Sequence, residues 1–150
     1  MKILVSACLL GVNCRYDGTG EMRESVKELM KDHQLIPVCP EILGGLKTPR
    51  CPAERQGDRV VTRDGEDVTE GYRRGAEETL KLAELFECSA AILKERSPSC
   101  GCGKIYDGTF TKTLKDGDGI TAQLLKAHGI PVLGDATSEL PYLGNLMRRK

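Results

Sequence analysis

The chain has 150 residues, with 22 Lys plus Arg balanced by 22 Asp plus Glu, no Trp and two Phe. A chain of this length buries roughly 68–70% of its unfolded surface, so it needs neither disulfides nor a metal merely to hold a core, and one domain over 1–150 is expected. The balanced charge gives no strong nucleic-acid signal, and no apolar run approaches the roughly 18 residues of a membrane span.

Lys2–Ser6 is a short apolar run of β-formers and predicts a buried strand. It lacks the long apolar stretch and small-residue cleavage site of a secretory signal, so the expected location is cytoplasmic. Met22, Val26, Leu29 and Met30 share a stripe that predicts a helix over about 21–33, and a second strand follows at 35–38. Residues 40–58 carry Gly44, Gly45, Pro49 and Pro52 and read as a long loop, usually a functional feature in a compact domain. Asp64-Gly65 between β-formers predicts a hairpin over 60–68.

The firmest helix is 69–87, where Tyr72, Ala76, Leu80 and Ala83 recur at helical spacing. A third strand is expected at 89–93 and a second hairpin, turning at Asp107-Gly108, at 104–114. A helix over 120–128 ends at Gly129, the fourth strand is 130–133, and 137–150 reads as a short helix or turn. Gly117–Gly119 lack a phosphate-loop pattern and read as the start of that helix. Strands alternating with helices predict a three-layer, Rossmann-like α/β domain with a small, mostly parallel sheet.

That topology has a consequence for the seven cysteines, at 8, 14, 39, 51, 88, 100 and 102. Cys8 follows the first predicted strand, Cys39 the second and Cys100 the third, so all three belong at the carboxyl edge of the sheet, where open parallel sheets bind ligands. An odd count excludes a complete disulfide framework, and cytosolic thiols stay reduced. Without any Cys-x-x-Cys, zinc ribbons and thioredoxin-like pairs are poorly supported. Thiolates gathered from loop ends suit an iron–sulfur cluster, against the plainer reading of three unrelated core cysteines. Cys88, opening a strand, reads as packing; Cys14, Cys51 and Cys102 stay open between spare ligand, neighbouring thiol and bystander.

Several motifs occur in a recognisable order: Ser6-Ala7-Cys8-Leu9-Leu10-Gly11, Cys14-Arg15-Tyr16-Asp17-Gly18, Cys39-Pro40-Glu41, Gly44-Gly45-Leu46, Pro49-Arg50, Pro52-Ala53-Glu54, then Lys94 and Arg96-Ser97-Pro98-Ser99-Cys100-Gly101. Together they resemble the TudS-like thiouracil desulfidase family over essentially the whole chain. The resemblance implies a [4Fe–4S] cluster on Cys8, Cys39 and Cys100, with one iron left without a protein ligand. It further implies a non-redox reaction, in which the sulfur of a thiolated pyrimidine binds that iron and water replaces it at carbon. Glu41 and Ser97 carry over as the catalytic side chains, and the partner is a small-molecule thiopyrimidine. Cys51 and Cys102 depart from the family pattern and are candidates to cap the open iron.

The chemistry suits these residues. A thiocarbonyl is a soft donor for a Lewis-acidic metal, and the attacking water needs a base such as Glu41, two residues past Cys39. Otherwise Glu41 is a solvated loop carboxylate and Ser97 a turn hydroxyl before Pro98. Arg15, Arg50, Arg55, Lys94 and Arg96 are candidates for a uracil oxygen, a nucleotide phosphate, or pairing with Asp17 or Glu54. The alternative function is a non-catalytic iron–sulfur or metal-binding module for electron transfer or sensing, with Cys14 or Cys102 as a fourth ligand.

Overall fold

The apolar run after Met1 forms the middle of the sheet. The computed structural model describes residues 1–137 together with 140 and 143. In chain order these form β1 (Lys2–Ser6), α1 (Glu24–Lys27), β2 (Gln34–Val38), α2 (Pro40–Leu43), β3 (Ala53–Gln56), β4 (Arg59–Thr62), α3 (Thr69–Leu85), β5 (Ala90–Leu93), β6 (Lys104–Tyr106), β7 (Leu114–Asp116), α4 (Ile120–Ala127) and β8 (Val132–Gly134). The main sheet has the order β2-β1-β5-β8, with every neighbouring pair parallel. β3–β4 and β6–β7 are separate antiparallel hairpins. No helix among the described residues is long and apolar enough to cross a membrane.

Alternation along β1 and β5 builds two cores, because successive side chains leave a strand on opposite faces. Ile3, Val5 and Ile92 pack with Val26 and Leu29 on one face, whereas Leu4, Ala91 and Leu93 pack with Ala83, Ala122 and Leu125 of α3 and α4 on the other. Helix, sheet and helix pair make the three predicted layers. Pro37 lies in β2, an edge strand, where its missing N–H costs no ladder bond.

The helix expected over 21–33 is much shorter. The amides of Glu21 and Arg23 donate to the carbonyls of Cys8 and Leu9, at 2.8 and 2.9 Å, which holds that stretch extended. The helix begins only at Glu24 and tightens into a 3-10 turn over Glu28–Lys31. Val26 and Leu29 are buried, while Met22 and Met30 are 45% and 57% exposed, so half of the stripe is no core face.

The stretch 40–58 is not a bare loop, because it holds α2 and β3. The hairpin ladder runs from Ala53↔Thr62 to Gln56↔Arg59 and turns at Gly57-Asp58. The chain reverses again at Asp64-Gly65, where Val61 bridges Asp67, so the predicted turn exists but the main ladder lies upstream. The last strand also starts two residues later than expected, at Val132. The expected tail element at 137–150 lies outside the described residues apart from 137, 140 and 143.

α2 is held by close backbone contact with α3. A Cβ on Gly44 would fall 1.9 Å from the Gly71 carbonyl oxygen, and one on Gly75 1.9 Å from that of Pro40. Only glycine permits this approach, and it sets the first turn of α2 directly against α3.

Candidate active site

In this strand order the direction of winding reverses between β1 and β5, so the ligand crevice lies beyond their carboxyl ends. Cys8 sits in a 3-10 turn, Ala7–Leu10, which leaves β1 and closes on left-handed Gly11. Cys39 directly follows β2 and precedes Pro40, which occupies the first position of α2, where a missing N–H is harmless. Cys100 lies in the turn after β5 and is buried.

Cys14, one of the three cysteines left open from the sequence, lies with Cys8 and Cys39. Cys14 is 3% exposed, and the neighbouring Cys39 and Cys8 thiols act on its own. The Cys39 Sγ also lies 3.7 Å from the Cys14 carbonyl oxygen. Contact with Cys14, followed by burial, pushes the Cys39 thiol far up. Burial pushes Cys100 up to about 12, with Glu41 and Cys39 adding to the rise and hydrogen bonds from Ser6 and Ser99 opposing it. Hydrogen bonding with Cys39 pulls Cys14 down, but contact with Cys8 and burial leave it raised.

Cys51 and Cys102 are directed elsewhere. The Cys51 thiol donates to Asp64 Oδ2 at 3.5 Å, and that of Cys102 donates to the Val132 carbonyl at 3.4 Å. Cys88 packs against the α3–α4 core.

Glu41 projects from α2 into a tight set of partners. Tyr72 of α3 donates to Oε1 at 3.1 Å, and Arg50 makes an ion pair with Oε2. The Arg50 and Glu41 side chains are only 10% and 14% exposed, so this pair is shielded from solvent. Burial works against the guanidinium charge, but Glu41 outweighs it and the Arg50 pKa is raised. Burial first, then the Glu41 charge, drive the Tyr72 phenol far above its ordinary value. From the sequence Tyr72 is merely a stripe residue; its signal is a hydroxyl beside the small residues Gly71, Gly75 and Ala76.

The loop bearing Cys100 is braced throughout. Ser97 Oγ accepts from the amides of Ser99 and Cys100, each at 3.0 Å. The amides of Ile120 and Thr121, at the start of α4, donate to the carbonyls of Pro98 and Ser99 at 2.8 Å. Gly119 permits this, since a Cβ there would lie 2.4 Å from the Ser99 carbonyl. Its stretch is the start of a helix, as expected. Lys94 donates its amide to Ser6 Oγ at 2.9 Å and pairs its ammonium with Glu21 at 3.0 Å.

Of the other candidates, Glu54 is committed to the amides of Gly108 and Phe110, each at 3.0 Å. Arg55 donates to the Gly57 and Asp118 carbonyls at 2.7 Å, and Asp17 binds Thr19. A cavity of about 420 Å³ opens between Arg59 and the start of α3, but none of these cysteines, Glu41 or Ser97 lines it.

Buried soft thiols beside a carboxylate form a donor set for iron–sulfur chemistry. Among the described residues no three Cys, His, Asp or Glu side chains group around one metal ion. A cluster needs no such grouping, because it offers each thiolate a separate iron, and the spread donors fit it better than a lone zinc.

Thiols and a shielded carboxylate at the carboxyl edge of a parallel sheet fit an iron–sulfur type of α/β enzyme, and comparison with known proteins makes the assignment specific. A family model described as 2-thiouracil desulfurase matches residues 3–136, and the chain belongs to that family. It is 46% identical to a Bacillus subtilis (strain 168) protein, "Uncharacterized protein YbbK", over 89% of this chain and 95% of that one. The solved structure of a [4Fe-4S]-dependent thiouracil desulfidase, TudS, superposes with a TM-score of 0.90 at 45% identity, covering 99% of both chains.

Proposed function

We propose that residues 1–150 form one cytoplasmic desulfidase domain that replaces the sulfur of a thiolated pyrimidine with oxygen from water. The observation that carries this reading is that Cys8, Cys39 and Cys100 follow the carboxyl ends of the parallel strands β1, β2 and β5, with the Cys14 carbonyl contacting both the Cys39 thiol and the Arg50 that pairs with Glu41. Seven free thiols also suit a reducing compartment.

Cys8, Cys39 and Cys100 are the proposed ligands. A [4Fe–4S] cluster bound there supplies a Lewis-acidic iron for the thiocarbonyl sulfur. Glu41 takes a proton from the water that attacks the ring carbon, and Tyr72 and Arg50 hold its carboxylate in place. Ser97 keeps the Cys100 turn closed through the two amides it accepts, and its own hydroxyl proton serves the water or the ring. Atoms balance as C=S plus water giving C=O plus hydrogen sulfide, with no net electron transfer.

The position of Cys14 favours one second reading, a closed four-thiolate cluster serving electron transfer or sensing. Anaerobically reconstituted protein separates the two. Given 2- or 4-thiouracil in oxygen-18-labelled water, it is expected to release sulfide and uracil carrying one solvent oxygen, without added reductant or oxidant. Unchanged substrate, or a requirement for an electron donor, contradicts the desulfidase reading.

A further inference from the structure

Arg50 has five N–H donors, and four acceptors of the chain are within reach of its terminal nitrogens. Nη1 donates to the Lys47 carbonyl at 3.2 Å and to Thr48 Oγ1 at 3.0 Å, while Nη2 donates to the Cys14 carbonyl at 3.0 Å and to Glu41. The fifth donor, Nε–H, is buried and has no acceptor among the described residues. A buried donor without a partner is rare enough in a native fold to need an explanation.

The planar guanidinium says where its partner sits. Nε–H runs parallel to one Nη2–H along the same edge of the plane, and the acceptors of Nη2 belong to Cys14 and Glu41. An acceptor on Nε therefore shares an edge of the guanidinium with either the Cys14 carbonyl or the Glu41 carboxylate. Its charge is constrained as well: a phosphate or carboxylate there meets the Glu41 charge, whereas a neutral carbonyl does not.

We propose that Arg50 is the substrate-orienting residue, its Nε–H taking the ring carbonyl oxygen that remains on a monothiolated uracil while Nη2 fixes Glu41. The inference rests on the desulfidase reading and adds a specificity determinant to it. It makes a neutral 2-oxo or 4-oxo pyrimidine ring the recognised feature, and it assigns no phosphate to this position.

The test pairs enzyme and substrate changes at matched iron content. Wild type, Arg50→Gln and Arg50→Lys are assayed on 2-thiouracil and on pyrimidine-2-thione, which lacks the carbonyl. The wild type is expected to favour 2-thiouracil in kcat/KM by about tenfold or more, chiefly through KM, because a site built to bind an oxygen rejects the analogue without it. Both variants should lose that preference, to within about twofold. A preference unchanged in both variants overturns the proposal. If the variants fail to fold or to retain iron, the wild type decides through product inhibition: uracil should inhibit about tenfold more tightly than pyrimidin-2-one, and equal inhibition overturns the proposal. A wild type that binds uracil selectively but turns over neither thione would instead remove the desulfidase reading and leave a carbonyl-binding Arg50 in place.

Discussion

The Tyr72 hydroxyl donates to Glu41 Oε1 at 3.1 Å although 31 residues separate them in the chain. The contact exists because α2 and α3 touch backbone to backbone at Gly44 and Gly75, which brings the first turn of α2 to the level of Tyr72. Two glycines thus determine where the proposed base stands.

Replacing Tyr72 by Phe removes one of the two groups that hold Glu41 while leaving the apolar packing intact. A hydrogen bond to a charged group is worth about 1.5–3 kcal/mol, so kcat is expected to fall about ten- to a hundredfold at unchanged iron content. Steady-state kinetics on reconstituted protein check this, and a wild-type kcat would show that Arg50 alone positions the carboxylate.

Gly75→Ala tests the same contact from the backbone. Its methyl would meet the Pro40 carbonyl at 1.9 Å, so α2 must move away from α3. Overpacking of this kind costs about 1–3 kcal/mol, visible as a lower urea midpoint, and turnover should drop further than stability alone explains. A variant with normal midpoint and normal turnover would show that α2 has slack.

The α/β order, the parallel sheet and the placing of Cys8, Cys39 and Cys100 after successive strands were legible because strand and helix periods differ and parallel strands share one carboxyl edge. What escaped was decided by tertiary contacts. The helix start at Glu24 depends on carbonyls of the Cys8 turn, some fifteen residues upstream, which no local period reveals. α2 has four residues, too few for a periodic signal, though Pro40 marked its start. Cys14 sat in a polar loop in sequence and is buried in the fold. Arg55 and Arg50 looked alike as candidates, and only the fold separates a guanidinium spent on the Gly57 and Asp118 carbonyls from one at the site.

Substitutions of the thiols separate ligands from neighbours. Cys8→Ser, Cys39→Ser and Cys100→Ser should each abolish retention of iron, measured as iron and acid-labile sulfide per chain. Cys51→Ser, Cys88→Ser and Cys102→Ser should retain it, since those thiols face Asp64, the α3–α4 core and Val132. Cys14→Ser should also keep a cluster, and its loss there would support the closed four-thiolate reading.

Ser97→Ala leaves two amides of the Cys100 turn without their acceptor. Each unsatisfied buried donor costs about 1–3 kcal/mol, and a domain of this size loses about 2–4 °C in Tm per kcal/mol. The variant should melt several degrees lower and hold its iron less firmly, and Ser97→Thr should recover most of both. An unchanged Tm would mean that the hydroxyl serves only the substrate.

Activation of the attacking water by Glu41 is probed by Glu41→Gln. The amide keeps the shape of the carboxylate, lies two residues beyond a proposed ligand and is itself no ligand. Wild type and variant are reconstituted anaerobically, matched for iron and sulfide per chain, and assayed for uracil formed from 2- and 4-thiouracil. Equal iron occupancy and retained substrate binding are expected, with turnover lower by about 10²–10⁴-fold, the usual contribution of a positioned general base. Wild-type turnover by the Glu41→Gln protein at equal occupancy would contradict that role.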